Sequence, residues 1–132
     1  MPRPMDAASR FDRRSTPLTR ALDVLPEEAW GRELTGQGRV VDVIQRVVDD
    51  QRTFVLQAGA SLPHPEPKVA EGAGLAWRTH AESVARALAD DRVGEAPRAG
   101  ADGPSTVGDV FDATFGPEME RLREQITALH EG

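Results

Sequence analysis

The sequence contains no cysteine, and this absence removes several classes of chemistry. Without a thiol the chain can form no disulfide, hold no metal through thiolates and use no cysteine nucleophile. The absence also suits a reducing cytosol. No apolar run approaches the ~20 residues of a membrane-spanning helix, and the first ten residues lack the apolar core of a signal peptide. We therefore predict a cytoplasmic protein with no membrane partner.

The balance of charges argues against a nucleic-acid partner. The chain carries 16 basic and 22 acidic residues, a formal net charge of −6. A phosphate backbone is bound by a concentrated basic surface, whereas here arginines alternate with acids along every segment. The one local basic patch, formed by Arg10, Arg13 and Arg14, is typical of a solvated helix start. Length and composition predict one globular domain over residues 1–132, with a disordered segment 1–5.

Hydrophobic periodicity predicts four amphipathic helices, separated by stretches rich in proline and glycine. In each segment the apolar residues recur at three- and four-residue steps, which places them on one side of a helix. No strand pattern and no internal repeat stand out. The predicted fold class is therefore all-α, a four-helix bundle. The predicted helices span roughly residues 6–25, 39–58, 74–90 and 106–129.

Two prolines interrupt these periodic segments. Pro17 is expected either to kink the first helix or to restart it with Thr16 as the N-cap. The pair Gly116-Pro117 is expected to bend or break the fourth helix. At the start of that helix, Thr106 is followed three residues later by Asp109, which predicts a capping box.

Three connections between the helices are predicted to be irregular. Residues 26–38 are interpreted as a connecting loop in which Trp30 is the one large apolar anchor. Residues 59–74 and 90–105 are predicted to be long polar loops. Loops of this length in a compact domain are usually functional or mobile.

The three histidines are the first candidates for metal binding or catalysis. No two of them lie three or four residues apart, the spacing that places two ligands on one helix. His80 flanks the apolar face of the third helix and is interpreted as a boundary residue, while His64 and His130 are interpreted as surface residues. Ser83 lies three residues after His80 and could contact its ring. Nucleophilic catalysis is only weakly indicated, because no acidic residue that would orient the histidine is evident except Glu82, or Asp112 from another helix.

A second set of candidates lies on the apolar faces. Gln51 is the polar residue nearest the middle of the second helix's apolar stripe. Since buried amides need partners, it either bonds a neighbouring helix or lines a cavity. Large aromatic side chains are core anchors by default, although they can also floor a ligand pocket. The candidate ligand-binding residues are Gln51, His80, Trp77 and Phe115.

Three stretches follow the layout of a known family and together cover nearly the whole chain. They are FDRRSTPLTRALDVLPEEAW, DVIQRVVDDQRTFVLQAG and STVGDVFDATFGPEME. The chain resembles the mycothiol-dependent maleylpyruvate isomerase family, within the DinB-like superfamily of four-helix metalloproteins. In that family the first helix ends in a proline-containing turn with a tryptophan, and a glycine-containing turn leads into a second helix with an Asp-apolar-apolar-x-His pattern. The resemblance implies the four-helix fold.

The resemblance also implies where a metal would bind. The family holds a metal, usually zinc, through a second-helix histidine and a Glu-x-x-x-His pair on the fourth helix. Aligning Asp42 with the family's aspartate puts Arg46 at the first histidine. Aligning the stretch FGPE with the family's His-Gly-x-Asp run puts Phe111 and Phe115 at the fourth-helix pair. Arginine cannot ligate a cation and phenylalanine has no lone pair, so the resemblance implies the fold and speaks against the activity. Arg46 also falls off the apolar stripe and is expected to meet solvent or a carboxylate. A one-residue shift of the alignment supplies no better set: Gln45, Asp112 and Gly116.

Three hypotheses about function follow. The first is a non-catalytic, metal-free DinB-like bundle without a cofactor, whose vestigial cavity is filled by Phe111, Phe115 and Val47 and which binds a small molecule or a protein partner. The second is a thiol-dependent (mycothiol-dependent) transferase or isomerase with a site relocated around His80. The third is an interaction protein that forms a homodimer through the fourth helix beyond Pro117. The apolar residues of that seam, which could equally close the bundle core, are Met119, Leu122, Ile126 and Leu129.

Overall fold

Four long helices make up most of the chain in the computed structural model, which describes residues 6–63, 66–100 and 103–131. The long helices are α1 (Ala7–Asp23), α2 (Val40–Gln57), α3 (Val69–Ala89) and α5 (Val107–Glu131), and a short helix α4 (Asp91–Gly94) precedes α5. The predicted all-α, four-helix class is confirmed. Segment 1–5 and His64 lie outside the described residues.

The first and last helices run parallel to each other. Arg10 pairs with Asp109, and one turn further along α1 Arg14 pairs with Glu120. The later residue of α1, Arg14, therefore contacts the later residue of α5, Glu120. The two helices that are farthest apart in sequence are therefore direct neighbours in space.

The second and third helices are also parallel. Gln45 accepts a hydrogen bond from the backbone N–H of Val69 at 2.8 Å, and Gln51 meets His80 at 2.8 Å. Two consecutive parallel helices need a connection that returns along the length of the bundle. The connection between α2 and α3, whose described residues are 58–63 and 66–68, belongs to this crossover.

The remaining neighbours are antiparallel. Asp23, the last residue of α1, pairs with Arg78 in the first half of α3. Phe54, in the last turn of α2, stacks on Phe111 near the start of α5, with ring centroids 5.5 Å apart. The helices therefore follow one another around the bundle in the order α1, α3, α2, α5, and run up, down, down, up.

The apolar stripes pack inward as their spacing predicts. The buried part of α2 includes every residue of its predicted stripe, and Val43 joins it. On α5 most of the predicted stripe is buried as far as Ile126, but Val110 and Leu129 are only partly buried and Thr114 is exposed. The predicted stripe residues of α2 are Val40, Ile44, Val47, Val48, Gln51, Phe54 and Val55.

Neither proline breaks its helix, so of the expected alternatives the restart at Thr16 and the break at Gly116-Pro117 are excluded. Helix α1 is continuous across Pro17, and the Thr16 hydroxyl donates to the Asp12 carbonyl at 2.6 Å inside the helix instead of capping a new one. Helix α5 likewise runs through Pro117. A proline removes one N–H, but both helices bury apolar residues on each side of it, and that packing holds the two halves in one rod.

The capping residue predicted for α5 is confirmed. The backbone N–H of Asp109 donates to the Thr106 hydroxyl at 3.1 Å. In a full capping box the Asp109 carboxylate would accept the backbone N–H of Thr106. Here it accepts hydrogen bonds from the side chains of Arg10 and Ser105 instead. The start of α5 is therefore joined to α1 as well as capped locally.

The third helix begins five residues before the predicted start at Gly74. Its first N–H group, on Val69, is capped by Gln45 from α2. A kink follows at Ala73, whose φ of 47° and ψ of −122° lie outside the regions that L-residues favour. Gly72 and Gly74 flank this residue. The early start depends on a partner 24 residues away, so local periodicity could not reveal it.

Two of the connections contain short strands, so the expectation of no strand is wrong there. Within residues 26–38, a 3₁₀ helix (Glu27–Gly31) buries Trp30 before a hairpin of β1 (Glu33–Leu34) and β2 (Gly38–Arg39). After α4, β3 (Pro97–Gly100) pairs antiparallel with β4 (Gly103–Thr106). Strands of two to four residues are too short for an alternating pattern to reveal.

Candidate functional site

The positions aligned with the family's fourth-helix metal ligands form an aromatic cluster. Phe111 and Phe115 are buried, with ring centroids 4.7 Å apart, and both stack edge-on against Phe54 at 5.5 and 5.6 Å. Phe11 of α1 adds a further edge contact to Phe111 at 5.6 Å. Among the residues that the structure describes, no group of three or more His, Cys, Asp or Glu is placed to hold a metal ion. This part of the bundle is packed hydrocarbon.

The hairpin formed by β3 and β4 contacts the aromatic cluster through Arg98. Arg98 of β3 places its guanidinium carbon 4.1 Å from the centroid of the Phe54 ring, which is cation–π geometry. The cation therefore lies on the face of the Phe54 ring, which itself stacks edge-on against Phe111 and Phe115.

The second-helix position, Arg46, lies apart from the cluster. Its side chain is exposed, as expected from its helical phase, and donates to the carbonyl of Gln37 at 3.4 Å. Nearby, burial and then the Asp50 carboxylate raise the pKa of Glu118, and the charges of Arg121 and Arg46 lower it in part. The three aligned positions therefore do not converge on one point.

His80 and Gln51 form a buried pair between α2 and α3. The His80 Nε2 and Gln51 Oε1 atoms are 2.8 Å apart, and both side chains are at most 1% exposed. The Trp77 ring lies 5.4 Å from the His80 ring, and its Nε1–H donates to the Thr19 hydroxyl at 2.9 Å. The interpretation that Gln51 bonds a neighbouring helix is confirmed.

The interpretation of His80 as a boundary residue is wrong. His80 lies three residues after Trp77 and four before Val84, so it shares their buried face. Burial, and then the charge of Arg52, lower the pKa of His80 from 6.5 to about 3. The ring is therefore neutral at neutral pH, and Gln51 supplies the hydrogen bond that makes its burial tolerable.

Arg52 is a buried residue that sequence reasoning missed. Only 4% of it is exposed, although a guanidinium is charged at any ordinary pH. It lies four residues after Val48 and three before Val55, which are both fully buried. That spacing could have indicated that Arg52 is buried. Arginine is so seldom buried, however, that a sequence-based prediction places it at the surface.

The serine near His80 does not form a nucleophile–base pair. The Ser83 hydroxyl donates to the Thr79 carbonyl at 3.0 Å, one turn back along α3. His80 is enclosed by the core, so no substrate reaches its ring in this conformation. Of the four predicted ligand-binding residues, Gln51, His80 and Trp77 lie together, whereas Phe115 belongs to the aromatic cluster on the α5 side of α2.

The largest concavity described lies elsewhere, at the end of α2. It has a volume of about 800 Å³ and is bordered by the chain leaving α2, the last turns of α3 and helix α4. None of the clefts described is lined by Gln51, His80, Trp77 or Phe115. The polar groups of this cleft are carried by Ser61, Ser83, Arg86, Asp90 and Arg92, and its apolar wall includes Leu62, Ala87 and Val93.

The tight turn of α4 shapes this cleft. A Cβ on Gly94 would collide with the Leu88 carbonyl oxygen, so only glycine lets α4 fold back against α3. Asp90 caps α4 by accepting the Arg92 backbone N–H at 3.0 Å, and hydrogen bonds from Arg92 lower the pKa of this carboxyl. Arg86 has no carboxylate at ion-pairing distance among the described residues. The cleft therefore holds one paired and one unpaired arginine.

The apolar residues of the fourth long helix are used inside the monomer. Met119, Leu122 and Ile126 are at most 1% exposed, and Leu129 is partly buried. They close the bundle core, which is one of the two alternatives given for them. His130, at the end of the same helix, is exposed as expected.

Comparison with known proteins gives no family assignment. Scans against protein-family models, curated proteins and solved structures each found no match. Within the described ranges, no helix has the length and apolar character needed to cross a membrane.

Proposed function

We propose that this chain is a non-catalytic, metal-free relative of the DinB-like four-helix proteins that binds a small organic anion. The family part of the proposal rests on the sequence layout described above, with which the four-helix architecture agrees. The binding part rests on one observation, the cleft of about 800 Å³ that contains the unpaired Arg86.

The lack of catalysis follows from the chemistry at the two candidate centres. Phe111 and Phe115 have no lone pair to offer a metal where the family places two ligands. His80 is neutral and enclosed, and its neighbour Ser83 bonds a backbone carbonyl instead of the ring. Neither centre has a positioned nucleophile, base or metal-activated water.

The cleft has the size and the polarity of a small-molecule site. Pockets for small ligands measure about 300–1,000 Å³ and combine apolar walls with a few polar groups. Asp90 neutralises Arg92 through their hydrogen bonds, which leaves the charge of Arg86 for a ligand. The Ser61 hydroxyl can accept or donate beside it, whereas the Ser83 hydroxyl, which donates to the Thr79 carbonyl, can only accept. The group recognised is therefore a carboxylate or a phosphate ester with an apolar carbon skeleton.

Calorimetric titration with a panel of carboxylates and phosphate esters tests this proposal. Loss of a charge-assisted hydrogen bond costs about 1.5–3 kcal/mol, so Arg86→Ala should weaken binding ~10–100-fold. Arg20→Ala, at an exposed arginine of α1 outside the cleft, is the matched control and should bind as the wild type does. If no compound in the panel binds, or if both variants bind equally well, the cleft is not the site.

A further inference from the structure

Asp90 places a negative charge in the cleft that contains Arg86, here called the Arg86 cleft. Asp90 directly follows the last turn of α3 and comes four residues after Arg86, a spacing that puts two Cβ atoms about 5–6 Å apart. The two side chains do not form an ion pair with each other. The cleft therefore presents a positive and a negative group side by side.

The carboxylate of Asp90 is held in place and ionised. Its Oδ1 atom accepts the backbone N–H of Arg92 at 3.0 Å, which caps α4, and the Arg92 guanidinium donates to both oxygens at 3.3 and 3.4 Å. These hydrogen bonds lower the pKa of Asp90, so the group is charged at neutral pH. The Arg92 side chain is 91% exposed and that of Asp90 is 41% exposed. The cation of this pair therefore faces water, while the carboxylate stays at the cleft.

The charges of the described residues that line the cleft leave one positive charge for a ligand. Asp90 and Arg92 cancel each other, and Arg86 remains. A head group with one negative charge neutralises Arg86. A second negative charge finds no further cation, lies beside the Asp90 carboxylate and must lose more of its hydration to enter. Ser83 does not help, because its hydroxyl proton is already donated to the Thr79 carbonyl.

We infer that Asp90 determines the specificity of the Arg86 cleft, which favours organic anions with a single negative charge, such as a monocarboxylate with an apolar chain, over the dianionic head of a phosphate monoester. This inference rests on the proposed function, since it narrows the ligand class of the same cleft. Two unit charges ~6 Å apart, screened to a degree between that of water and that of a protein surface, change an affinity by a factor of ~3–10. Asp90 therefore acts on the ligand by repulsion and not by a direct bond.

Calorimetric titration with hexyl sulfate and hexyl phosphate tests the inference. Both have a tetrahedral head on the same chain, but at about pH 8 the sulfate carries one charge and the phosphate nearly two, because its second pKa is about 6. The wild type should bind hexyl sulfate ~3–10-fold more tightly than hexyl phosphate. Asp90→Asn keeps the oxygen that accepts the Arg92 N–H group and should abolish or reverse this preference. Glu71→Gln, which removes an exposed carboxylate at the other end of α3, should retain it.

A second measurement uses the wild type alone and decides the matter if Asp90→Asn does not fold. Between about pH 8 and pH 5.5 hexyl phosphate becomes a monoanion, so its affinity should rise toward that of hexyl sulfate, whose charge is constant. An affinity that does not rise, or a preference that Asp90→Asn leaves unchanged, overturns the inference and leaves the proposed function standing. If neither compound binds the wild type, or if Arg86→Ala binds both as the wild type does, the proposed function fails and the inference fails with it.

Discussion

Replacing His80 with glutamine should change how the stability of the protein depends on pH. Burial, and then the charge of Arg52, lower the pKa of this histidine in the folded state from 6.5 to about 3. The unfolded chain therefore binds a proton at His80 between these two values, while the folded protein does not. The stabilisation is complete above pH 6.5 and is lost as the pH falls toward 3.

The size of the effect follows from that interval. Each pH unit between the two pKa values changes the free energy of unfolding by about 1.36 kcal/mol. From the unfolded-state value near 6.5 down to about pH 4 the wild type should lose ~3 kcal/mol through His80 alone. His80→Gln keeps a polar side chain but cannot take up the proton, so it should not lose this part.

Urea unfolding followed by circular dichroism at several pH values between about 7 and 4 provides the measurement. The variant will be less stable than the wild type at neutral pH, because the buried ring is lost. The difference between the two should then shrink, or change sign, as the pH falls. His130→Gln is the control, since that residue is exposed at the end of α5, and its profile should follow the wild type.

Parallel profiles for the wild type and His80→Gln across this range would refute the reasoning. They would mean that His80 takes up its proton equally in the folded and unfolded states. The ring would then be reached by water or paired with an anionic group in the folded protein.

Two further predictions concern the backbone of α3 and its contact with α1. Ala73→Gly should raise the free energy of unfolding by about 1 kcal/mol in urea titrations, because glycine adopts a positive φ without the steric cost that alanine bears; a loss of similar size would mean that residue 73 is helical. Thr19→Val should lower it by about 1–3 kcal/mol, because the Trp77 Nε1–H group loses its acceptor. Thr19→Ser, which keeps the hydroxyl, should recover most of that loss, and equal values for the two Thr19 variants would contradict the reasoning.

The positions of helices were predictable wherever apolar residues recur in the sequence with the helical period. The stripe of α2 from Val40 to Val55 is an example, since every member is buried. The start of α3 was not predictable, because its first N–H is capped by Gln45 from another helix. The continuity of α1 through Pro17 and of α5 through Pro117 was also not predictable locally, because packing on both sides outweighs the local cost of a proline.

The candidate site was predictable only in part. Gln51 stood out because it interrupts an apolar stripe, and it does bond across to another helix. That its partner is His80 depends on the parallel packing of α2 and α3, which a single sequence does not encode locally. The burial of Arg52 was missed because a charged residue is expected to be exposed, even at a position with the spacing of the buried stripe. The cleft beside Arg86 was not predictable because it depends on how α4 folds back against α3.

The parallel pairing of α1 with α5 has a consequence for how the chain acquires its structure. During synthesis α1 leaves the ribosome before α2 and α3, yet the helix that covers its flank, α5, is made after both. Until then Phe11 has no Phe111 to meet, and Arg10 and Arg14 have no carboxylates from α5. Contacts between segments that are distant in sequence slow folding relative to contacts between sequence neighbours. The flank of α1 that packs on α5 should therefore stay exposed to chaperones and proteases until α5 is complete.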